Sequence, residues 1–441
     1  MTPTAIPDTW LAWSPKWILH IQPDGGMVLP RSPLRMTRHH VNSGGRDILL
    51  LCDGSRTSKD LLGPADDKTA TPMRASFLLW ALDAGILEVL LRPALKPIHT
   101  CGSVRFHSPY HMVIELTDGC NLNCKYCYRD AGGRKAHHLP TSALLRALDE
   151  MAQEGVRVVE LTGGEPLFHP DSRSILVWCL NRFELVCLLT NGWLLDRALL
   201  DEVCGFEHKL LVQVDLDGPS PFVHDQMRGV SGSFERACLA ITLLSQRGIR
   251  CKVAMTVAPD NLPFTEDVLL LARRLGATFF SCASVVDFGR GSTCHLSYEE
   301  TCTFQEQLSL LRAKHRHFLF PAETDLGGLN SGPRRCGAGW RMMVLGPDGS
   351  IRFCPLADER ETSLGSINRG YRSFLESAPS SFLRETPLPG IAYCSGCAHH
   401  PYCTGCLARP FRVRRKVSED GGEFNCPWDK QTGFLSGQEK N

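Results

Sequence analysis

The chain has 441 residues, a formal net charge of +1 and 22% charged residues. That length accommodates two or three domains with a sizeable core, and the charge balance carries no footprint for nucleic acid or an anionic membrane surface. The first residues lack a basic stretch followed by an apolar run, and no apolar run reaches about 18 residues, so neither a signal peptide nor a membrane span is expected and a cytoplasmic protein is. Twenty cysteines, about 4.5% of the chain, fall below the roughly 8–10% of small disulfide scaffolds. In a large cytosolic chain, clustered cysteines point to metal or catalysis first.

Residues 1–96 read as a unit. Lys16–Gln22 and Gly26–Leu29 flank Pro23-Asp24-Gly25-Gly26, a hairpin signal. Helical patterns follow over 47–52, 58–62 and 73–82, stopped by Asp53-Gly54 and Ala84-Gly85. A hairpin with three helices is the winged-helix plan. DNA binding is nevertheless disfavoured, because 11 Lys and Arg stand against 9 Asp and Glu over residues 1–100, with no basic helix. Asn42, the apolar turn before Cys52-Asp53-Gly54, Thr57, Leu61-Leu62 and Leu82-x2-Gly85-Ile86-Leu87 resemble the precursor-peptide recognition domain typified by the pyrroloquinoline quinone peptide chaperone. That resemblance implies a winged-helix-like domain taking a leader peptide as an added strand on the hairpin edge. A structural cap without a ligand is the alternative.

Residues 97–110, with Pro97, Gly102 and Pro109, read as a linker. Beyond them strand patterns at 111–117, 157–162, 185–190, 209–215, 250–257 and 278–284 alternate with helical patterns near 141–154, 171–182, 196–203, 233–247 and 264–275. Six βα repeats over 107–290 predict an α/β fold, a partial (β/α)6 TIM-like barrel with its site at the carboxyl ends of the strands. The first strand runs into Cys120-Asn-Leu-Asn-Cys124-Lys-Tyr-Cys127. About 0.04 such triples are expected from composition alone. A zinc site or an ordinary ferredoxin cluster takes four protein ligands, and this loop offers three. The second repeat ends in Thr162-Gly163-Gly164-Glu165-Pro166 and the third in Thr190-Asn191-Gly192. Glycines there let a ligand approach the backbone. Glu165 or nearby carbonyls suit an ammonium, and Asn191 suits hydroxyls.

Together these motifs, over roughly 107–290, resemble the radical S-adenosylmethionine (radical SAM) superfamily. The resemblance implies that Cys120, Cys124 and Cys127 hold a 4Fe–4S cluster whose fourth iron chelates the methionine moiety of SAM. It further implies that Gly163, Gly164 and Glu165 bind the amino group, Asn191 the ribose, and that Tyr126 lies beside the adenine. Leu216-Asp217-Gly218-Pro219, His224-Asp225-x2-Arg228-Gly229 and Gly232-Ser-Phe-Glu235 resemble its peptide-modifying branch, with Arg228 a contact for the ligand carboxylate. Asp215 departs from the Ser common in that branch.

The last quarter carries Cys336 and Cys354 around a hairpin turned by Pro347-Asp348-Gly349, then Cys394-x2-Cys397-x5-Cys403-x2-Cys406, and Cys426. Paired C-x2-C knuckles are also zinc signatures, and on spacing alone zinc stays open. Behind such a barrel the set resembles the SPASM extension over 330–435, a Cys-rich iron–sulfur domain with one or two auxiliary clusters. The resemblance assigns Cys394, Cys397, Cys403 and Cys426 to one 4Fe–4S cluster, and Cys336, Cys354 and Cys406 to another. Asn330 stands where some members have an eighth cysteine, leaving the Cys336 cluster an open iron, a substrate thiolate site, or a ligand from Cys294, Cys302 or His399. The pairs His39-His40, His137-His138 and His399-His400 read as solvated loop residues. Cys179, Cys187, Cys238 and Cys251 read as packing residues.

The three modules imply a maturase of a ribosomally made peptide, supplied with electrons by a flavodoxin or ferredoxin and with no nucleic-acid or membrane partner. Its product would be a thioether or carbon–carbon crosslink. The rival readings are a sulfatase-type maturase acting on a protein, and a non-catalytic, zinc-bearing peptide-binding module.

Overall fold

In the computed structural model, residues 8–31, 38–63, 70–132, 136–319, 336–357, 362–377, 383 and 385–437 are described. Asn330 and the Gly327–Pro333 passage lie outside them. The chain falls into two compact units, one built on Met1–Ser108 and the other on the chain from Pro109 onward.

In the first unit, β1 (Trp10–Trp13), β2 (Trp17–Gln22), β3 (Gly25–Pro30) and β4 (His39–Asn42) lead into α1 (Ser43–Leu49), β5 (Asp53–Thr57), α2 (Ser58–Leu62), α3 (Ala70–Asp83), β6 (Leu87–Leu90) and β7 (Thr100–Gly102). The expected hairpin is β2–β3, with Gln22 opposite Gly25. Helix α2 starts where predicted because Thr57 and Asp60 form a reciprocal capping box, Asp60 N donating to Thr57 Oγ1 (3.3 Å) and Thr57 N to Asp60 (2.9 Å). The strands form two sheets, β5-β1-β6 and β4-β3-β2-β7. Leu11, Trp13, Leu19, Val28, Leu49, Leu78 and Ile86 pack together as the core. The stretch read as a linker contributes β7, which pairs parallel to β2. Both edges of the hairpin are therefore taken, and the sheet ends in β4 on one side and β7 on the other. His39, expected as a solvated loop residue, instead lies in β4 with its ring 5.5 Å from Trp17 and 5.2 Å from Trp80.

The second unit opens with β8 (His111–Thr117), α4 (Thr141–Gln153), β9 (Val158–Gly163), α5 (Ser172–Arg182), β10 (Leu185–Thr190), α6 (Arg197–Glu202) and β11 (Leu210–Asp215). It continues through α7 (Pro221–Arg228), α8 (Ser233–Gln246), β12 (Arg250–Val257), α9 (Thr265–Arg274), β13 (Phe279–Ser284) and α10 (Tyr298–His315). Strands β8 to β13 lie side by side in sequence order, every pair parallel. This is the predicted α/β partial barrel. Strand β12 shows how such a strand is read: Cys251, Val253, Met255 and Val257 are buried, while Arg250, Lys252, Ala254 and Thr256 alternate with them, half-buried, on the other face. Cys179 and Cys251 are buried as packing residues, as expected.

Beyond β8 the sheet goes on. β14 (Met342–Leu345) pairs parallel to β8, β15 (Ser350–Arg352) turns back on it, and β16 (Ser363–Ser366) closes the edge. The hairpin was predicted, but its place beside β8 was not. A buried charge cluster crosses this seam. Glu115 of β8 accepts from Arg352 of β15 and from Arg129 (3.2 Å), and both Glu115 and Arg352 are almost fully buried. Breaking a buried pair by removing one partner costs about 3–5 kcal/mol, whereas replacing both by apolar groups costs far less. Arg352→Met is therefore expected to lower the urea midpoint of the full chain markedly. The Glu115→Leu/Arg352→Met double variant should recover part of that loss, and equal losses in both would refute the pairing.

Candidate active site at the carboxyl edge of the sheet

The segment from Asp118 to Asp130 leaves β8 at the same edge where β9 ends in Gly163 and β10 in Thr190. It is held by neighbours. Asn123 N and Lys125 N donate to the carbonyls of Arg228 (3.1 Å) and Met227 (3.0 Å) at the end of α7. From the opposite side Arg290 donates through its backbone to Cys127 O (3.0 Å), and through its guanidinium to Cys124 O (2.8 Å), Ala131 O (2.9 Å) and Asp130 (2.7 Å). Gly163 has φ +129°, and a Cβ there would stand 2.3 Å from Thr117 O; at Gly164 it would stand 2.2 Å from Gly119 O. The two glycines are thus required by the chain's own loop, since Gly164 N and Glu165 N donate to those same carbonyls (2.8 and 2.9 Å).

Each of the three thiols of this loop meets an N–H donor: Leu122 N at 3.4 Å from Cys120 Sγ, Arg228 Nη1 at 3.7 Å from Cys124 Sγ, and Ala131 N at 3.3 Å from Cys127 Sγ. Burial pushes the Cys120 thiol up to about 12, and burial likewise raises Cys124 against the pull of Arg228. Such thiols ionise only beside a positive centre, and sulfurs ringed by N–H donors are the setting of an iron–sulfur ligand. Among the described residues no trio of His, Cys, Asp or Glu closes tightly enough for a single ion. The donor set fits a 4Fe–4S cluster.

The thiols open onto a cavity of about 330 Å³ that also receives Tyr126, Gly163, Gly164, Glu165, Asn191, Asp215 and Arg228. All the residues singled out for SAM thus share one space. Glu165 is buried and accepts from Leu167 N (3.1 Å), Thr190 Oγ1 (2.8 Å) and Asn191 N (2.8 Å). Burial nevertheless raises its carboxyl to about 7, those bonds only partly offsetting it. Asn191 is turned by Glu165 and donates to Asn121 (2.8 Å) beside Cys120. Arg228 pairs through Nε with Asp217 (2.7 Å) and through Nη1 with Asp215 (3.4 Å), and its guanidinium lies 5.5 Å from the centre of the Tyr126 ring. Tyr126 in turn donates its hydroxyl to Asp217.

Other parts of the peptide-branch motifs hold backbone. Burial takes His224 down to about 3, so its neutral Nδ1 accepts from Asp217 N (3.0 Å). Asp225 caps α8, accepting from Gly232 N, Ser233 Oγ and Phe234 N (2.8, 2.7 and 2.8 Å). Sequence reasoning missed Arg290, Arg129 and the role of Asp217. The position of Gly289-Arg290-Gly291 just past the sixth strand was the only available signal.

The C-terminal cysteines gather in two places. Cys394, Cys397, Cys403 and Cys426 line one small cavity of about 20 Å³ with His399, His400 and Trp428. Burial pushes Cys403 up to about 12, helped by the charges of Cys426, Cys397 and Cys394. Burial also pushes Cys354 to about 12, with Cys406 and Cys336 as its charged neighbours. Cys406 stands within electrostatic reach of both groups. Of the candidate extra ligands, His399 belongs with the first group, Cys302 is exposed, and Cys294 packs beside Tyr126 on the radical-loop side.

Gly163→Ala is expected to cost about 1–3 kcal/mol, the range for a residue forced into such backbone. A lower melting temperature together with less iron bound per chain would show it; an unchanged melt with full iron would refute the close approach.

A profile of the Radical SAM superfamily matches residues 114–271. The chain is 30% identical over 384 residues to the antilisterial bacteriocin subtilosin biosynthesis protein AlbA of Bacillus subtilis, covering 81% of this chain and 84% of that protein. It is 25% identical over 361 residues to the sporulation killing factor maturation protein SkfB of the same species, covering 78% and 84%. Among solved structures, Streptococcus suis SuiB bound to S-adenosylmethionine shares the fold, with a TM-score of 0.65 at 14% identity over 91% of this chain and 96% of that one. With a relative 30% identical over more than four fifths of both chains and the three-thiol site in place, the chain belongs to the radical SAM superfamily, whose enzymes use a 4Fe–4S cluster and S-adenosylmethionine.

Proposed function

We propose that this enzyme matures a ribosomally made precursor peptide, with Cys120, Cys124 and Cys127 as ligands of its radical SAM cluster. The observation that carries the reading is three N–H-bonded thiols opening onto one cavity with Glu165, Asn191, Tyr126 and Arg228. AlbA and SkfB, named for bacteriocin biosynthesis and killing-factor maturation, support a peptide as the substrate.

Three thiols leave one iron of four for a non-protein ligand, and the cavity gives that ligand room. Bound there, the cluster supplies the electron that cleaves a C–S bond of the sulfonium, the source of hydrogen-abstracting power. The chain's own part is to bind, orient and exclude water. Carbonyls at Gly163 and Gly164, with the Glu165 carboxylate, receive the ligand's ammonium. Asn191 meets the ribose and Tyr126 flanks the adenine. Arg228 Nη2, buried without a hydrogen-bond partner, is the donor for the ligand carboxylate.

Cys394, Cys397, Cys403 and Cys426 take one auxiliary 4Fe–4S cluster, and Cys336, Cys354 and Cys406 the other. The N-terminal unit receives the leader peptide, and with the hairpin edges occupied the added strand goes on β4. There the aromatic run His39, Trp80 and Phe77, with ring centres 5.2 and 5.3 Å apart, supplies side-chain pockets. A peptide-binding unit of this kind argues against a sulfatase-type maturase. The product is a thioether or carbon–carbon crosslink, and a flavodoxin or ferredoxin donates electrons. Among the described residues no helix is long and apolar enough to cross a membrane, and a cytoplasmic site of action is consistent with that.

Anaerobic reconstitution tests the reading. A brown protein that forms 5′-deoxyadenosine with dithionite and SAM is expected. Cys120→Ala/Cys124→Ala/Cys127→Ala should abolish that product while leaving the C-terminal iron bound. A colourless, zinc-bearing protein making no deoxyadenosine would establish the non-catalytic alternative instead. Since Glu165 titrates near 7 and only its carboxylate form accepts from an ammonium, SAM affinity should rise with pH through that value. Below it, affinity should fall by up to about tenfold per pH unit. Equilibrium dialysis between pH 5.5 and 8 checks this, and a Glu165→Gln variant with the same pH profile would contradict it.

A further inference from the structure

Arg228 sits closer to a cluster sulfur than a ligand-binding residue needs to. Arg228 as a residue is 4% exposed, and its Nη1 donates to Cys124 Sγ at 3.7 Å. Guanidinium and sulfur ride on one bonded unit, because Arg228 O accepts from Asn123 N, the residue before Cys124. On its far side Arg228 Nε pairs with Asp217 at 2.7 Å. Asp217 is fully buried and cannot swing away. Thr256 N donates to its Oδ1 (2.8 Å), Tyr126 donates to its Oδ2, and Asn261 Nδ2 donates to its backbone carbonyl (2.9 Å). A fixed positive charge therefore faces one sulfur of the loop, with the buried carboxylate of Asp217 on its Nε and the part-exposed carboxylate of Asp215 3.4 Å from its Nη1.

A guanidinium stays charged at any working pH, and in a buried site its field is weakly screened. Reducing a 4Fe–4S cluster adds one negative charge to it, so a nearby cation favours the reduced form and a nearby anion the oxidised one. Hydrogen bonds to the cluster sulfurs and local charge are established levers on such potentials. If the pair served stability alone, Arg228 and Asp217 would suffice without the Nη1–sulfur contact, and buried pairs are weak stabilisers in any case.

We infer that Arg228 and Asp217 form an opposed charge couple that sets the reduction potential of the cluster on the Cys120 loop, Arg228 raising it through Cys124 and Asp217 holding it down. The inference rests on Cys124 being a ligand of that cluster. Both are positioning residues for the electron-transfer step, in which one electron enters the oxidised cluster with no bond made or broken in the protein.

Opposite signs give the test. The anaerobically reconstituted full chain is titrated with titanium(III) citrate in the absence of SAM. The paramagnetic signal followed is the one whose shape changes when SAM is later added. Arg228→Gln should make the potential more negative and Asp217→Asn more positive. Each shift should change the reduced-to-oxidised ratio at a fixed poise by about tenfold, or 59 mV for a one-electron couple. Arg228→Lys, which keeps the charge, should stay near the unmodified protein. If Arg228→Gln fails to retain iron, the sign for Asp217→Asn decides alone. Intact clusters with potentials unchanged, or displaced in the same direction in both variants, would overturn the inference and leave the pair a structural one. An unmodified protein with no SAM-sensitive signal would instead overturn the assignment of Cys124.

Discussion

The three thiols must be held in one arrangement by a loop that has neither helix nor strand of its own. Everything around that loop answers this constraint. Its amides at Asn123 and Lys125 bond to the carbonyls ending α7, and its carbonyls at Cys124 and Cys127 are taken by Arg290. The Gly163-Gly164 backbone closes on Thr117 and Gly119 so tightly that no side chain fits between. Arg129 just past the loop is anchored on buried Glu115. Three distant segments and the neighbouring strand β8 thus supply the rigidity that local backbone bonding supplies elsewhere, and a preorganised site is what single-electron chemistry on a bound ligand requires.

The electrostatics of the site follow from burial rather than from net charge, which is only +1 for the whole chain. Two buried sets of cations and carboxylates near the site compensate one another. Glu115 stands between Arg129 and Arg352, and Arg228 between Asp217 and Asp215. Asp215, noted in the sequence as a departure from the peptide-modifying branch, pairs with Arg228. Glu165 differs: its hydrogen-bond donors among the described residues are neutral, and burial raises it to about 7. A buried carboxyl lacking a cation is a natural receiver for a cationic ligand.

The C-terminal segment is an extension of the same sheet, because β14 continues it beside β8 and β15 delivers Arg352 to Glu115 two residues before Cys354. One strand of chain therefore joins the seam of the barrel to a second group of cysteines. In the N-terminal unit, recruitment of β7 onto β2 turns a plain hairpin into the middle of a four-stranded sheet. The end strands of that sheet are therefore β4 and β7 rather than the strands of the hairpin.

Much of the architecture was written in local pattern. All six barrel strands lie within a residue of where alternation and apolar runs put them, and the capping box of Thr57 starts α2 at the position its helical pattern gave. The Cys120, Gly163 and Asn191 motifs could be assigned to one edge because parallel repeats put successive strand ends together. Other features depended on contacts between residues far apart in the chain. Helix α7 is only eight residues long, and its buried face mixes the polar His224 and Arg228 with Val223 and Met227. The roles of Asp217 and Arg290 are defined by what they touch, at Arg228, Tyr126 and the carbonyls of the cysteine loop. The grouping of Cys354 with Cys336 and Cys406 is equally invisible to spacing. Periodicity and capping are properties of a few consecutive residues, so the sequence by itself determined the barrel strands, their order and the thiols that gather at their carboxyl edge. Which charge faces which sulfur, and which strand remains open, depends on segments up to a few hundred residues apart, and only the tertiary structure decided that.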